Sequence, residues 1–272
     1  MSWTTCALRH AAIATALIVL NGCLTTAPSD VPEPGSGVVD LKLPDGGVQR
    51  VLYVEPERPK AVVVPLLGGD GEFFIDGAGH TTPPYFIATR REVWGAQGIA
   101  VAALHTPQPL YGKRKSEQYA RTLAAVAAYI HTRTDAPIWL VGHSNGTAAA
   151  VNGAAYMTHG EIAGIVLMAP VTRIYGSGAE IMSPAGLGRV TVPTLIVSHV
   201  GDSCIATPPS DAPEIRAALT KAPKAEVIMV EGGSVPTKID QCFGGGQHSF
   251  AGMQNEVIER IATWMKAQEP ED

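Results

Sequence analysis

The chain is poor in charge, in cysteine and in long apolar runs near its start, and each shortage closes off a class of explanation. Only 17% of its 272 residues are Asp, Glu, Lys or Arg, the formal net charge is −5, and no long basic run occurs. A protein that grips nucleic acid needs a basic footprint to neutralise phosphates, so that class of partner is excluded. The apolar run Ala11 to Leu20 has ten residues, too few to cross a bilayer as a stable helix. The four cysteines show no Cys-x-x-Cys spacing, and no His-x-x-x-His accompanies them, so no bound metal is expected. No phosphate-, peptide- or cofactor-binding signature appears either, and no organic cofactor is expected. There is no internal repeat and no sign of a second domain. What remains is a chain with 46% hydrophobic residues, long enough for one α/β domain with a full core.

The first residues read as an export signal. Arg9 and His10 precede the apolar run, which ends at Asn21-Gly22-Cys23. The end Leu20-Asn21-Gly22-Cys23 resembles a bacterial lipoprotein signal. That resemblance implies removal of residues 1–22 and a lipid on Cys23; a secretory signal cut nearby is the alternative. Residues 23–37, rich in Pro, Ser, Gly and Thr, then form a flexible tether. The domain covers residues 38–272, held at a bacterial envelope membrane and facing the periplasm or the outside. Cys6 falls in the removed segment and Cys23 is the lipid candidate. Cys204 and Cys242 are left in an oxidising compartment, where a disulfide between them is expected. The alternative is two separate buried thiols packed as small apolar groups.

From residue 38 onward, apolar runs alternate with helical stretches. Val38 to Leu43 and Val48 to Val54 flank Pro44-Asp45-Gly46-Gly47 and read as an antiparallel hairpin. Further strands are expected at Ala61 to Leu67, Ile99 to Leu104, Ile138 to Val141, Ile162 to Met168, Thr194 to Ser198 and Glu226 to Val230. Helices are expected around Tyr85 to Gln97, Ser116 to Thr132, Thr147 to Met157, Pro213 to Leu219 and Ser249 to Lys266. Repeated strand–helix units make a mostly parallel sheet with helices on both faces.

The segment Gly142-His143-Ser144-Asn145-Gly146 carries the chemistry. It joins the β-like run Pro137 to Val141 to the small-residue helix that follows. Gly-x-Ser-x-Gly between a strand and a helix is a nucleophile elbow, in which a strained turn lifts the serine clear of the sheet. The bland alternative is a glycine-bounded turn with an ordinary N-cap serine.

With this elbow after the fifth strand and an antiparallel opening, the chain resembles the α/β-hydrolase superfamily over residues 38 to 267. The stretch Pro84 to Arg91, followed by the Gly98 turn, looks like a bacterial subgroup of these hydrolases. The resemblance implies an α/β-hydrolase fold and a catalytic order of Ser, then Asp or Glu, then His. Asp202, just past Thr194-Leu195-Ile196-Val197-Ser198, supplies the acid, with Asp211 and Asp240 as fallbacks. His248, after Gly244-Gly245-Gly246, supplies the base. His199 is the rival base but reads as packed, and His143 walls the elbow. His80 and His105 fall on loops that either line the site or face solvent. Asn145 offers one backbone N–H to an oxyanion, and Gly69 or Asp70 in Gly68-Gly69-Asp70-Gly71 offers the second. A Cys204–Cys242 bridge would tie the acid loop to the base loop. Residues 171–192 leave room for only a minimal lid. Phe73, Phe74, Tyr111, Tyr175, Ile181 and Met182 are candidate pocket lining. The expected activity is hydrolysis of a small carboxylic ester without cofactor. The alternatives are an amidase or peptidase on the same three residues, or a non-catalytic envelope lipoprotein that kept the fold to bind a ligand.

Overall fold

A hairpin opens the domain, and its second strand passes the hydrogen-bonding edge to a parallel sheet. The computed structural model describes residues 36–82, 85–158, 160–234, 242 and 245–268. The export segment, Cys23, most of the tether and Asp240 lie outside the described residues. Strands β1 (Gly37–Lys42) and β2 (Val48–Val54) pair antiparallel. Their turn closes with Leu43 N donating to Gly47 O at 2.8 Å and Gly47 N to Asp45 Oδ1 at 2.9 Å. Strand β3 (Ala61–Leu66) leads to a short hairpin, β4 (Phe74–Ile75) and β5 (Thr81–Thr82). Helices α1 (Phe86–Thr89) and α2 (Arg91–Ala96), strand β6 (Ile99–Leu104) and helix α3 (Glu117–His131) follow. Next come β7 (Ile138–His143), α4 (Gly146–Tyr156), β8 (Gly164–Met168), α5 (Pro184–Leu187), β9 (Thr194–His199), α6 (Ala212–Ala218), β10 (Ala225–Val230) and α7 (Gln254–Lys266).

The main sheet has eight strands in the order β1-β2-β6-β3-β7-β8-β9-β10. It is antiparallel from β1 to β6 and parallel from β6 to β10. Strand β3 lies between β6 and β7, so the chain winds outward in both directions from it. Ligands of open α/β sheets bind beyond the carboxyl ends of the strands near such a reversal.

Both faces of the sheet are covered, because alternate residues of each strand point opposite ways. Val62, Val64, Ile138, Leu140, Ile165 and Leu167 pack with α3 and α4 through Leu123, Val126, Ile130 and Ala150. Val63, Trp139, Val141, Val166 and Met168 pack with α2 and α7 through Trp94, Val257, Ile261 and Met265. Strands buried on both faces read as continuous apolar runs, which is why their positions are legible in the sequence.

Three details depart from the sequence reading. The single helix expected at Tyr85 to Gln97 is broken at Arg90 (φ −85°, ψ 51°). Its side chain reaches Gln254 Oε1 through Nε and Nη2 at 3.1 and 3.0 Å. The last helix begins at Gln254 and not at Ser249, because Phe250 (φ 52°) and Gly252 (φ 78°) are left-handed and interrupt it. The β4–β5 hairpin was not foreseen, since strands of two residues leave no periodic signal.

Candidate active site

Strand β7 ends at His143, and the chain turns at Ser144 with φ 52°. That left-handed conformation costs a residue with a side chain about 1 kcal/mol or more. It is held by Ser144 N donating to Met168 O at 2.9 Å and by Ser144 O accepting from Thr147 N at 2.9 Å. The flanking glycines are required by contact. A Cβ on Gly142 would lie 2.5 Å from Gly146 O, and one on Gly146 would lie 1.9 Å from Leu66 O. Helix and strand therefore approach backbone to backbone, and Asn145 caps α4 with the helix's N-terminal end beside Ser144.

Two long-range partners complete the cluster. His248 sits on a single helical turn, Gln247–Ser249, ahead of α7, and is almost fully buried. Its Nε2 lies 3.1 Å from Ser144 Oγ, and its Nδ1 lies 3.0 Å from Asp202 Oδ2. A carboxylate on Nδ1 fixes the tautomer in which Nδ1 carries the hydrogen and Nε2 faces the serine as acceptor. Asp202, just past β9, is itself held. Cys204 N donates to Oδ1 at 2.9 Å and Thr207 Oγ1 donates to Oδ2 at 2.8 Å. Thr207 Oγ1 also lies 3.0 Å from His248 Nδ1, so one hydroxyl touches both Asp202 and His248.

The other titratable candidates are engaged elsewhere. Asp211 pairs with Arg173 and accepts from Thr172 Oγ1 at 2.7 Å. His199 packs with Nε2 against Gly232 O and Nδ1 accepting from Gly201 N. His105 Nδ1 accepts from Ile75 N, and His80 pairs with Asp76 on the surface. His143 does form part of the wall. Its Nε2 donates to the carbonyl of His248 at 2.9 Å, bracing the His248 loop from the elbow side. Burial, and then the nearness of His248, push His143 down to about 4, so it is neutral near neutral pH.

Cys204 and Cys242 are joined by a disulfide with Cα atoms 4.6 Å apart. The bridge crosses from the loop after Asp202 to the segment before His248.

After β3, the loop at Gly68-Gly69-Asp70-Gly71 passes directly over the elbow. A Cβ on Gly68 would stand 2.9 Å from the Cβ of Ser144. Asn145 ties this loop to the minimal lid. Its Nδ2 donates to Gly69 O and to Gly178 O, each at 2.9 Å, and its Oδ1 accepts from Glu180 N at 3.0 Å. Behind the loop, the fully buried Arg114 pairs with Glu180 and donates from Nη2 to Leu67 O and Gly69 O, each at 3.1 Å. Sequence reasoning missed Arg114, Glu180 and Thr207. Arg114 stands in the run Lys113-Arg114-Lys115, which reads as solvated charge, and its partner lies 66 residues away.

Ser144 and His248 border a cavity of about 510 Å³, lined also by Gly68, Gly69, Asp70, Tyr85, Phe86, Ile87, Tyr111, His143, Cys242, Gly245, Ser249 and Gln254. Of the expected apolar lining only Tyr111 is present. Phe73 and Met182 are core residues, and Ile181 packs beside Cys204. Phe74 is exposed with its ring against His105, and Tyr175 is exposed on the lid segment. The wall comes instead from Tyr85, Phe86 and Ile87, with the Phe86 ring edge-on to His143.

Neither a protein-family model nor a curated protein matches this chain. Solved structures do. Est1E from Butyrivibrio proteoclasticus superimposes with a TM-score of 0.58 at 15% identity, over 86% of this chain and 99% of that one. A dienelactone hydrolase from Anabaena variabilis gives 0.59 at 14% identity, over 85% and 97%. The chain has the α/β-hydrolase fold. A puromycin-hydrolyzing peptidase of Mycobacterium tuberculosis also matches this α/β-hydrolase domain, with a TM-score of 0.63 at 13% identity, over 87% of this chain and 40% of that one.

Proposed function

We propose that this chain is an exported serine hydrolase that cleaves carboxylic esters through an acyl-enzyme on Ser144. The observation that carries the reading is the unbroken line Asp202–His248–Ser144, with contacts of 3.0 and 3.1 Å, at the wall of a cavity large enough for a small ester. A serine hydroxyl alone is a poor nucleophile near neutral pH and needs such a base, oriented by such an acid. Ser144 Oγ attacks the acyl carbon while His248 Nε2 takes its proton. Asp202 stabilises the imidazolium that results. The tetrahedral oxyanion is met by Asn145 N–H and by the N–H of Gly69 or Asp70. His248 then returns the proton to the departing alcohol as the C–O bond breaks. Water, deprotonated by the same nitrogen, attacks the acyl carbon; as the acyl–Oγ bond breaks, His248 returns the proton to Ser144 and the acid is released.

A neighbour named as a dienelactone hydrolase supports ester chemistry, a lactone being a cyclic ester; the peptidase neighbour keeps amide cleavage as the second reading. Purified protein assayed against esters of graded acyl length, with matched amides alongside, separates the two. Faster turnover of the amides would favour the second reading. The exported setting is supported by the disulfide and by the lipoprotein-type signal ending at Cys23. Among the described residues no helix is long and apolar enough to cross a membrane, so a lipid on Cys23 would be the anchor. Mass spectrometry of the mature N-terminus tests it, and an unmodified start beyond Cys23 would refute it.

A further inference from the structure

Arg114 is a cation with no exposure to solvent, and it lies outside the cavity wall. Its Nη2 faces three successive carbonyls: Leu67 O at 3.1 Å, Gly68 O at 3.5 Å and Gly69 O at 3.1 Å. A trans peptide holds its C=O and N–H in opposite directions. Carbonyls gathered on the guanidinium therefore turn the N–H groups of Gly69 and Asp70 away from it. Gly69 O is gripped twice, by Arg114 Nη2 and by Asn145 Nδ2, so the Gly69–Asp70 peptide is the most firmly set.

Asn145 closes the circuit. It follows the nucleophile, bonds the same carbonyl, and accepts from the N–H of Glu180, the residue that pairs with Arg114. Both segments that supply candidate oxyanion donors are thus referred to one buried ion pair. That pair is poorly arranged for stability. Arg114 Nε and Glu180 Oε1 are buried without a hydrogen-bond partner among the described residues. A buried ion pair repays its desolvation only when its remaining polar atoms are satisfied, and an apolar replacement is often no less stable. A Cβ on Gly71 would lie 2.5 Å from Arg114 Nη2, so the loop also leaves room for the guanidinium.

We infer that Arg114, with Glu180 as its counter-charge, is the positioning residue of the oxyanion hole, aiming the loop's backbone N–H at the developing negative oxygen. The inference rests on the serine-hydrolase reading and adds to it the group that presets the geometry. Arg114 touches no substrate and acts through the loop.

The test compares wild type with Arg114→Lys and with the double variant Arg114→Met/Glu180→Met, which removes both buried charges together. Active serine is first counted by burst titration with an activated ester, and kcat is expressed per titrated site. A fall of about 10²-fold in kcat per site, with KM little changed and the same factor for esters of different acyl length, is expected, because donors to an oxyanion act in the transition state. Arg114→Lys should restore part of the loss, since an ammonium reaches fewer carbonyls than a guanidinium. A merely structural residue would lower the number of titratable sites and leave kcat per site unchanged. Wild-type kcat per site in the double variant would overturn the inference while leaving the hydrolase reading intact. A wild-type protein that neither turns over esters nor titrates would sink both.

Discussion

Ser144 stands on backbone packed so closely that one added carbon at Gly146 would lie 1.9 Å from Leu66 O, whereas His248 and Asp202 stand on loops tied by side chains and one crosslink. Ser144 is placed by main chain: two glycines beside it, a strand and a helix, with Met168 O and Leu66 O in contact from the neighbouring strands. His248 is placed by groups 41 to 105 residues away, namely Thr207, Asp202 and the ring of His143. The first arrangement is rigid because main chain meets main chain. The second depends on each tie being present. The two halves should therefore answer differently to perturbation.

The largest effect is expected where the halves meet. Asp202→Asn leaves the elbow untouched but lets the imidazole take the wrong tautomer, so kcat should fall by about 10⁴-fold with the melting temperature nearly unchanged. Steady-state kinetics beside a thermal melt would check this. A loss under tenfold would mean that Asp202 does not orient the base.

Next comes the crosslink. Cys204→Ser/Cys242→Ser opens a loop spanning 38 residues. By the chain-entropy estimate this should lower stability by about 3–4 kcal/mol. Activity should fall with it, because the base loop loses its tie to the acid loop, while the elbow keeps its form. Urea unfolding of oxidised and reduced wild type gives the same comparison without mutation.

A similar but pH-confined effect belongs to His143. Its folded pKa of about 4 lies below the ordinary histidine value of 6.5, so the unfolded chain binds the proton more readily. The stability contributed by neutral His143 is complete above about pH 6.5 and is lost as the pH falls toward 4. Its size is on the order of 3 kcal/mol. His143→Gln should flatten the stability profile in that window. A profile as steep as that of wild type would show that another group carries the acid sensitivity.

The same contrast explains what was legible in the sequence. The strands at Ile99 to Leu104, Ile138 to His143 and Thr194 to His199 are buried on both faces and show as apolar runs. The elbow is local, so its glycines and serine announce it. Asp202 and His248 are named as acid and base only through the catalytic order that the resemblance implies; no local pattern marks either. Thr207, Arg114 and Glu180 join the site through contacts 5 to 66 residues apart and carry no pattern of their own. The cavity wall was misassigned for a related reason. Phe73 follows the Gly68–Gly71 loop in sequence yet turns into the core, and Tyr85, Phe86 and Ile87, which sit on a helical stretch with no local mark of a pocket, line the wall.

The central claim is that Ser144, and no other residue, is activated by His248. It is tested most directly by treating the purified full-length protein with a fluorophosphonate and mapping the adduct by mass spectrometry, alongside His248→Ala and Ser144→Ala. The account requires one adduct, on the peptide containing Ser144, with labelling slowed by several orders of magnitude in His248→Ala and abolished in Ser144→Ala. Equal labelling of wild type and His248→Ala, or an adduct on another residue, would contradict it.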